Sequence, residues 1–194
     1  MTLVHTVQQQ AMTTPTKVAY HFEGQNVSYE QLEQQVGKFA QGLQQQGIER
    51  GDHVALLLGN TPHFIIALYA VMRIGATAVP VNPTYTKDEI SYILKNAEVK
   101  GVIALDVMLP LVEIAASAFP AIKTFVLCET TPHIAERIDA MEPNVREKTK
   151  LFQRVLQQAN GTAEIANIHE DDTAVILYTS GTTGFPKGVM LRHY

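Results

Sequence analysis

Short apolar runs alternate with helical patterns through the middle of the chain, and this alternation limits the possible folds more than any other feature. Buried strands are predicted at 53–58, 76–81, 100–105 and 123–128, with amphipathic helical patterns between them. Strand–helix units at this spacing give parallel strands, because two parallel neighbours need a crossover that a helix usually supplies. We therefore predict an α/β fold with a mainly parallel sheet and helices on both faces.

Two helix starts have a specific chemical signature. Ser28 is followed three residues later by Gln31, and Thr86 is followed by Glu89 at the same spacing. In such a capping box the hydroxyl and the longer side chain satisfy each other's free backbone N–H groups. Before the first box, 17–22 and 25–29 flank Glu23-Gly24 and predict a β-hairpin.

The other segments have weaker signals. A helix is predicted at 3–12, and another begins at Pro62. In the helix that begins at Pro62 the inward side chains are expected to be Phe64, Ile65, Leu68, Val71 and Met72. From 129 to 172 the pattern fades, so we expect a surface excursion with one helix at 148–159.

A loop near the end of the chain has the composition of a phosphate-binding site. The run 174–178 predicts a buried strand, and it leads into TSGTTGFPKG. Glycines let a ligand approach the backbone, and successive N–H groups in such a turn can bind an anion. The candidate phosphate-binding residues are Thr179, Ser180, Gly181, Thr182, Thr183, Gly184 and Lys187.

The loop departs from the Walker A pattern of P-loop NTPases. That pattern needs a glycine directly before the lysine and a serine or threonine directly after it. Here Pro186 precedes Lys187 and Gly188 follows it. The sequence therefore indicates a phosphate loop of another kind.

Composition excludes several classes of protein. The 194 residues are 46% hydrophobic and 18% charged with a net charge of −4, so no basic footprint for nucleic acid is present. No apolar run reaches the roughly 20 residues of a membrane span, and the amino terminus lacks the pattern of a signal peptide. Cys128 is the single cysteine, which excludes an internal disulfide. We expect a cytoplasmic protein.

Taken whole, YTSGTTGFPKGV resembles the phosphate-binding signature of the adenylate-forming enzymes, which include acyl-CoA synthetases and peptide-synthetase adenylation domains. The resemblance extends to 51–55, Asn60 and the block AVMRIGATAVPVNP at 70–83. The ending NPTY is nearer to acyl-CoA synthetases than to adenylation domains. Arg192 stands where most members have threonine, and MLRHY resembles the strand and histidine-bearing turn that follow the loop.

The resemblance implies an amino-terminal portion, 1–194, of an ATP-dependent acyl-CoA ligase, with the second subdomain and the carboxy-terminal domain absent. Such an enzyme activates a fatty acid as an acyl-adenylate and transfers it to coenzyme A, using ATP and Mg²⁺. Lys187 is implied as the catalytic cation, and His193 as a residue near the substrate. Alone, the chain is expected to be inactive and to self-associate through uncovered apolar surface.

Other readings of the sequence remain open. The chain could instead be a stand-alone nucleotide- or acyl-binding module without turnover, and it could be a shortened form or an incomplete gene product. Tyr85 and Tyr178 are interpreted as packing residues that could also touch a ligand. The seven histidines show no metal-ligand spacing, so no metal site is predicted within the protein. The His193 role is balanced by a purely structural one.

Overall fold

The computed structural model describes residues 2–179 and 186–194. In these residues the helices are α1 (Leu3–Thr13), α2 (Tyr29–Gln45), α3 (Pro62–Arg73), α4 (Lys87–Asn96), α5 (Leu109–Ala118), α6 (Ile134–Asp139), α7 (Pro143–Lys148) and α8 (Phe152–Gln158), with a 3₁₀ turn at Asp106–Met108. The strands are β1 (Val18–Phe22), β2 (Gln25–Ser28), β3 (His53–Leu57), β4 (Thr77–Pro80), β5 (Gly101–Leu105), β6 (Thr124–Cys128), β7 (Thr149–Leu151), β8 (Thr173–Thr179) and β9 (Lys187–Arg192).

Seven of these strands form one sheet in the order β7-β6-β5-β3-β4-β8-β9. All neighbours pair in parallel except β8 and β9, which are antiparallel. The strands β1 and β2 form a separate antiparallel hairpin. The predicted α/β class with a mainly parallel sheet is therefore confirmed.

Both predicted capping boxes are present. The Ser28 hydroxyl accepts from the Gln31 N–H while the Gln31 side chain accepts from the Ser28 N–H, and Thr86 and Glu89 make the same exchange. These caps fix where α2 and α4 begin, because each satisfies backbone donors that the first helical turn leaves free.

Helices cover both faces of the sheet. The core on one face holds apolar side chains of α2, α3 and α8, and the core on the other face holds those of α4 and α5. Successive strand residues alternate between the two cores: Val54 and Leu56 face the first, whereas Ala55 and Leu57 face the second. The strands are buried on both sides, which explains why their sequences are continuous apolar runs.

The five side chains predicted to point inward from α3 all contact the core, but they are buried to different degrees. Val71 and Met72 are buried, but Phe64, Ile65 and Leu68 are only half-buried. The most buried face includes Ala67 and Ala70 instead. Small side chains lie there because α3 packs closely on α2, and an apolar count favours large residues over alanine.

Arg73, the last residue of α3, is buried and fully engaged. Its Nη1 lies 2.5 Å from Glu33 Oε1, and its Nε donates to the Ala163 carbonyl at 2.6 Å. The Ala163 N–H in turn donates to the Gly37 carbonyl at 2.9 Å. These bonds hold the irregular segment before β8 against α2 and α3.

The prediction for 129–172 is wrong in part. The single helix expected at 148–159 is α8, which is shorter, and the helices α6 and α7 and the edge strand β7 were not predicted. Each of these three elements has six residues or fewer. Segments this short span fewer than two helical or strand periods, so a search for periodicity has little to detect.

The strand β8 is less buried than its sequence predicts. Ala174 and Ile176 are buried, but Leu177 is 40% exposed. Every residue of β9 is exposed, including Val189, Met190 and Leu191. The sheet therefore presents an apolar edge at β9 within the described residues.

Candidate functional site

The strands β8 and β9, which flank the predicted phosphate loop, meet at the carboxyl edge of the parallel sheet. All the parallel strands end at this edge, and β8 ends there with Thr179. In the β8–β9 pair, Thr179 is the direct partner of Lys187, and Tyr178 is the partner of Gly188. The register of the β8–β9 pair defines the stem that leads into and out of residues 180–185, which lie outside the described residues. Ligands of open α/β sheets bind outside this edge.

The structure brings together two of the predicted phosphate-binding residues. Thr179 and Lys187 are directly opposite in the antiparallel pair, so their side chains lie on the same face of the sheet. Both residues are exposed. The other predicted residues, Ser180, Gly181, Thr182, Thr183 and Gly184, lie outside the described residues.

Lys187 has a charge that is free to bind an anion. Among the residues that the structure describes, no carboxylate oxygen lies within ion-pair distance of its ammonium group. Pro186, directly before it, is buried. A buried proline with a fixed φ angle holds the backbone at the base of this cation.

His193 lies at the other end of the same hairpin. Its neighbour Arg192 pairs with Thr173 at the start of β8, and the His193 N–H donates to the Asp172 carbonyl at 3.2 Å. Its side chain is 4% exposed, and burial lowers the pKa of the imidazole, with Asp172 opposing this and His5 adding to it. The structure does not bring His193 together with Thr179 and Lys187.

A cleft that the sequence did not predict opens at the carboxyl ends of β3 and β4. It has a volume of about 420 Å³, with Leu56, Leu58, Phe64 and Pro80 among its apolar walls and Asn60 among the polar groups that line it. The helices that follow the adjacent strands β3 and β4 pack on opposite faces of the sheet, so the chain leaves these strands in opposite directions. Such a switch point is the usual ligand crevice of a doubly wound sheet.

The cleft could be predicted only if the order of the strands in the sheet were known. Asn60 and Asn82 each follow a predicted strand, but the sequence does not reveal that β3 and β4 are neighbours. β4 also pairs with β8, through Ala78 and Val175. The cleft and the stem of the phosphate loop therefore lie along the same edge, on adjacent strands.

Asp106 is a second group that sequence reasoning missed. It is fully buried after β5, and its carboxylate accepts four hydrogen bonds, from the N–H and hydroxyl groups of Thr130 and of Thr131. Burial alone raises the pKa of this carboxyl, but the four donors together lower it. Asp106 thus ties the ends of β5 and β6 together at the carboxyl edge.

Other reactive groups are not placed for chemistry. Cys128 is fully buried, and burial, followed by the charges of Glu129 and Asp106, strongly raises the pKa of its thiol. Tyr85 and Tyr178 both pack against the core under α4.

Across residues 2–179 and 186–194 there is no group of three or more His, Cys, Asp or Glu side chains that could hold a metal ion. In the same residues, no helix is long and apolar enough to span a membrane.

Comparison with known proteins defines the class. The pattern of the AMP-binding enzyme family matches residues 7–194, and the chain belongs to that family. It is 31% identical over 206 residues to the long-chain-fatty-acid–CoA ligase of Bacillus subtilis (strain 168). This alignment covers 99% of this chain and 36% of that protein. It is 30% identical over 187 residues to bacitracin synthase 1 of Bacillus licheniformis. This alignment covers 96% of this chain and 3% of that protein.

The fold agrees with this assignment. A crystal structure of an anthranilate CoA ligase in complex with anthranoyl-AMP superposes with a TM-score of 0.86 at 23% identity, over 100% of this chain and 35% of that one. The resemblance inferred from the loop is therefore confirmed at the level of family and fold. The chain spans about a third of the length of the CoA ligases that it matches.

Proposed function

We propose that residues 1–194 are the partial amino-terminal domain of an AMP-forming acyl-CoA ligase, and that further polypeptide supplies the second subdomain and the carboxy-terminal domain. The observation that carries the proposal is the pairing of Thr179 with Lys187 at the carboxyl end of β8. This pairing puts a hydroxyl and a cation at the two ends of a glycine- and threonine-rich loop, and the cation has no ion-pair partner among residues 2–179 and 186–194. Donors so arranged suit a polyphosphate.

The proposed reaction has two steps. A substrate carboxylate attacks the α-phosphorus of ATP, forming an acyl-adenylate and expelling pyrophosphate. The thiol of coenzyme A then attacks the acyl carbon, forming the thioester and expelling AMP. Transfer at phosphorus depends chiefly on positioning and on stabilising the charge of the leaving group.

The roles of the residues follow from that requirement. Lys187 would neutralise charge that develops on the leaving pyrophosphate, and Thr179, Ser180, Thr182 and Thr183 would donate hydroxyl hydrogen bonds to it. The backbone of Gly181 and Gly184 would approach the β and γ phosphates. Mg²⁺ would enter the site bound to the phosphates of ATP, because magnesium is commonly held by substrate phosphates with few protein ligands. When bound there, it shares the neutralisation of phosphate charge.

For the carboxylate we propose a medium- or long-chain fatty acid in a cytoplasmic ligase. The relative from Bacillus subtilis named as a long-chain-fatty-acid–CoA ligase supports the fatty acid. The NPTY ending at 82–85 supports an acyl-CoA ligase over an adenylation domain. The similarity to bacitracin synthase 1 supports a second candidate, activation of an amino acid for peptide synthesis. A panel of carboxylates separates the two. A phosphate-binding module without turnover would bind ATP and respond to no carboxylate.

A binding experiment on this chain tests the phosphate role directly. Isothermal titration with inorganic pyrophosphate and with MgATP is expected to show binding that Lys187→Ala weakens by about tenfold, the usual effect of losing one charge-assisted hydrogen bond. Lys38→Ala removes an exposed lysine of α2 and is the matched control. Equal affinity of Lys187→Ala and Lys38→Ala would contradict the role given to Lys187.

A further inference from the structure

Tyr178 connects the stem of the phosphate loop to a helix far away in sequence. Its hydroxyl donates to Asn96 Oδ1 at 2.6 Å, across 82 positions of the chain. Asn96 is the last residue of α4, a helix fixed by the Thr86 capping box and by buried Ile90 and Ile93. Burial, with a smaller contribution from Tyr92, raises the pKa of Tyr178, so the hydroxyl keeps the proton that it donates.

Gly188 leaves the space that the Tyr178 ring occupies. The two residues are direct partners in the β8–β9 pair. A Cβ atom at 188 would lie 3.1 Å from Tyr178 Cζ, 3.3 Å from Cε2 and 2.9 Å from Ile176 Cγ2. Because glycine has no side chain, the ring can lie across β9 with its hydroxyl directed to α4. The ring therefore contacts both strands of the stem.

The phosphate-binding pair lies next to this contact. Thr179 follows Tyr178 in β8, and Lys187 precedes Gly188 in β9. Side chains alternate between the faces of a strand, so Tyr178 lies on the α4 face while Thr179 and Lys187 lie on the opposite one. Rotation of the stem about its own axis would move the Lys187 ammonium, and the bond to Asn96 opposes that rotation.

We propose that Tyr178 and Asn96 are positioning residues, which anchor the stem of the phosphate loop to α4 and thereby hold Thr179 and Lys187 in a fixed orientation. The phosphate part of this inference rests on the proposed function; the anchor does not. Asn96 is exposed, so water competes for the hydrogen bond and its loss costs little global stability. The expected consequence is loss of local order in the stem.

The first test uses the ligand-free chain. Backbone ¹⁵N relaxation of Lys187, Gly188 and Val189 is expected to give lower order parameters in Tyr178→Phe and in Asn96→Ala than in the wild type. Asn96→Asp keeps an acceptor oxygen and is expected to retain wild-type order. Tyr20→Phe, which removes a hydroxyl in the β1–β2 hairpin, is the matched control. Unchanged order parameters in both Tyr178→Phe and Asn96→Ala would overturn the anchor.

The second test measures pyrophosphate affinity in the same variants. Tyr178→Phe and Asn96→Ala are each expected to weaken binding by about fivefold, the factor that corresponds to a net hydrogen bond of about 1 kcal/mol. The double variant is expected to be no weaker than either single variant, because both remove the same bond. Wild-type affinity in variants with a disordered stem would overturn the positioning role. A wild-type chain that binds no pyrophosphate, with the stem disordered in the variants, would refute the proposed function and leave the anchor supported.

Discussion

Replacing Asp106 by asparagine tests how this fold holds its carboxyl edge together. The change keeps the shape of the side chain but removes its charge. Oδ2 accepts from the Thr130 N–H at 2.8 Å, the Thr131 N–H at 2.7 Å and the Thr131 hydroxyl at 2.8 Å, while Oδ1 accepts from the Thr130 hydroxyl. In Asp106→Asn an NH₂ group, which donates and cannot accept, would take one of the two oxygen positions. With NH₂ at the Oδ1 position the Thr130 hydroxyl can turn and accept from it, while the three bonds to the remaining oxygen lose the charge of their acceptor.

The expected loss of stability follows from these four bonds. A hydrogen bond to a charged group contributes about 1.5–3 kcal/mol and a neutral one about 0.5–1.5 kcal/mol, so each of the three bonds to the remaining oxygen should weaken by roughly 1 kcal/mol. Asp106→Asn is therefore expected to lower the free energy of unfolding by about 2–4 kcal/mol at pH 7. Asp139→Asn, an exposed change near the end of α6, should stay within about 0.5 kcal/mol of wild type.

The assay is urea unfolding of both proteins over a range of pH. The folded-state pKa of Asp106 is lowered, so its charge stabilises the fold fully above the ordinary aspartate pKa of about 3.9 and progressively less as pH falls through the folded value. The difference between wild type and Asp106→Asn should accordingly shrink below about pH 4. A difference under about 0.5 kcal/mol at pH 7, or one that does not change with pH, would show that the charge of Asp106 does not stabilise this edge.

Three further predictions concern buried groups and the exposed edge. Cys128 should resist a thiol reagent in the native protein and react at once in urea; rapid native labelling would show that it is accessible. Burial lowers the pKa of His63 and of His193, so the free energy of unfolding should fall as pH drops below about 6.5, by at most about 1.4 kcal/mol per pH unit for each histidine; phenylalanine variants that keep the wild-type slope would contradict this. The chain should self-associate in light scattering, and Met190→Lys in β9 should reduce this, whereas a monomeric wild type would refute it.

Local signals account for the parts of the fold that the sequence predicted. The capping boxes at Ser28 and Thr86 involve residues three apart, and strands buried on both faces leave continuous apolar runs. The phosphate-binding role of residues 179–187 also rests on consecutive residues, and it stays a prediction. Such features depend on neighbours in sequence, so they can be detected without knowing the fold.

Features that depend on distant residues could not be predicted. Asp106 finds its donors 24 and 25 positions away, and Tyr178 finds Asn96 at a separation of 82. The cleft requires that β3 and β4 be neighbours whose helices lie on opposite faces. The separation of His193 from Thr179 and Lys187 also follows from topology. The strand β9 runs away from the carboxyl edge, so His193 lies beside the start of β8.

The proposed function is tested most directly by carboxylate-dependent exchange of labelled pyrophosphate into ATP. The measurement uses a longer polypeptide that contains this chain together with the proposed second subdomain and carboxy-terminal domain. A fatty acid should support exchange, and Lys187→Ala should slow it by about 10²- to 10³-fold, as expected when one charge partner of a transition state is removed. Lys38→Ala should exchange at the wild-type rate. Exchange by Lys187→Ala at the wild-type rate would contradict the central claim that this loop binds the leaving pyrophosphate.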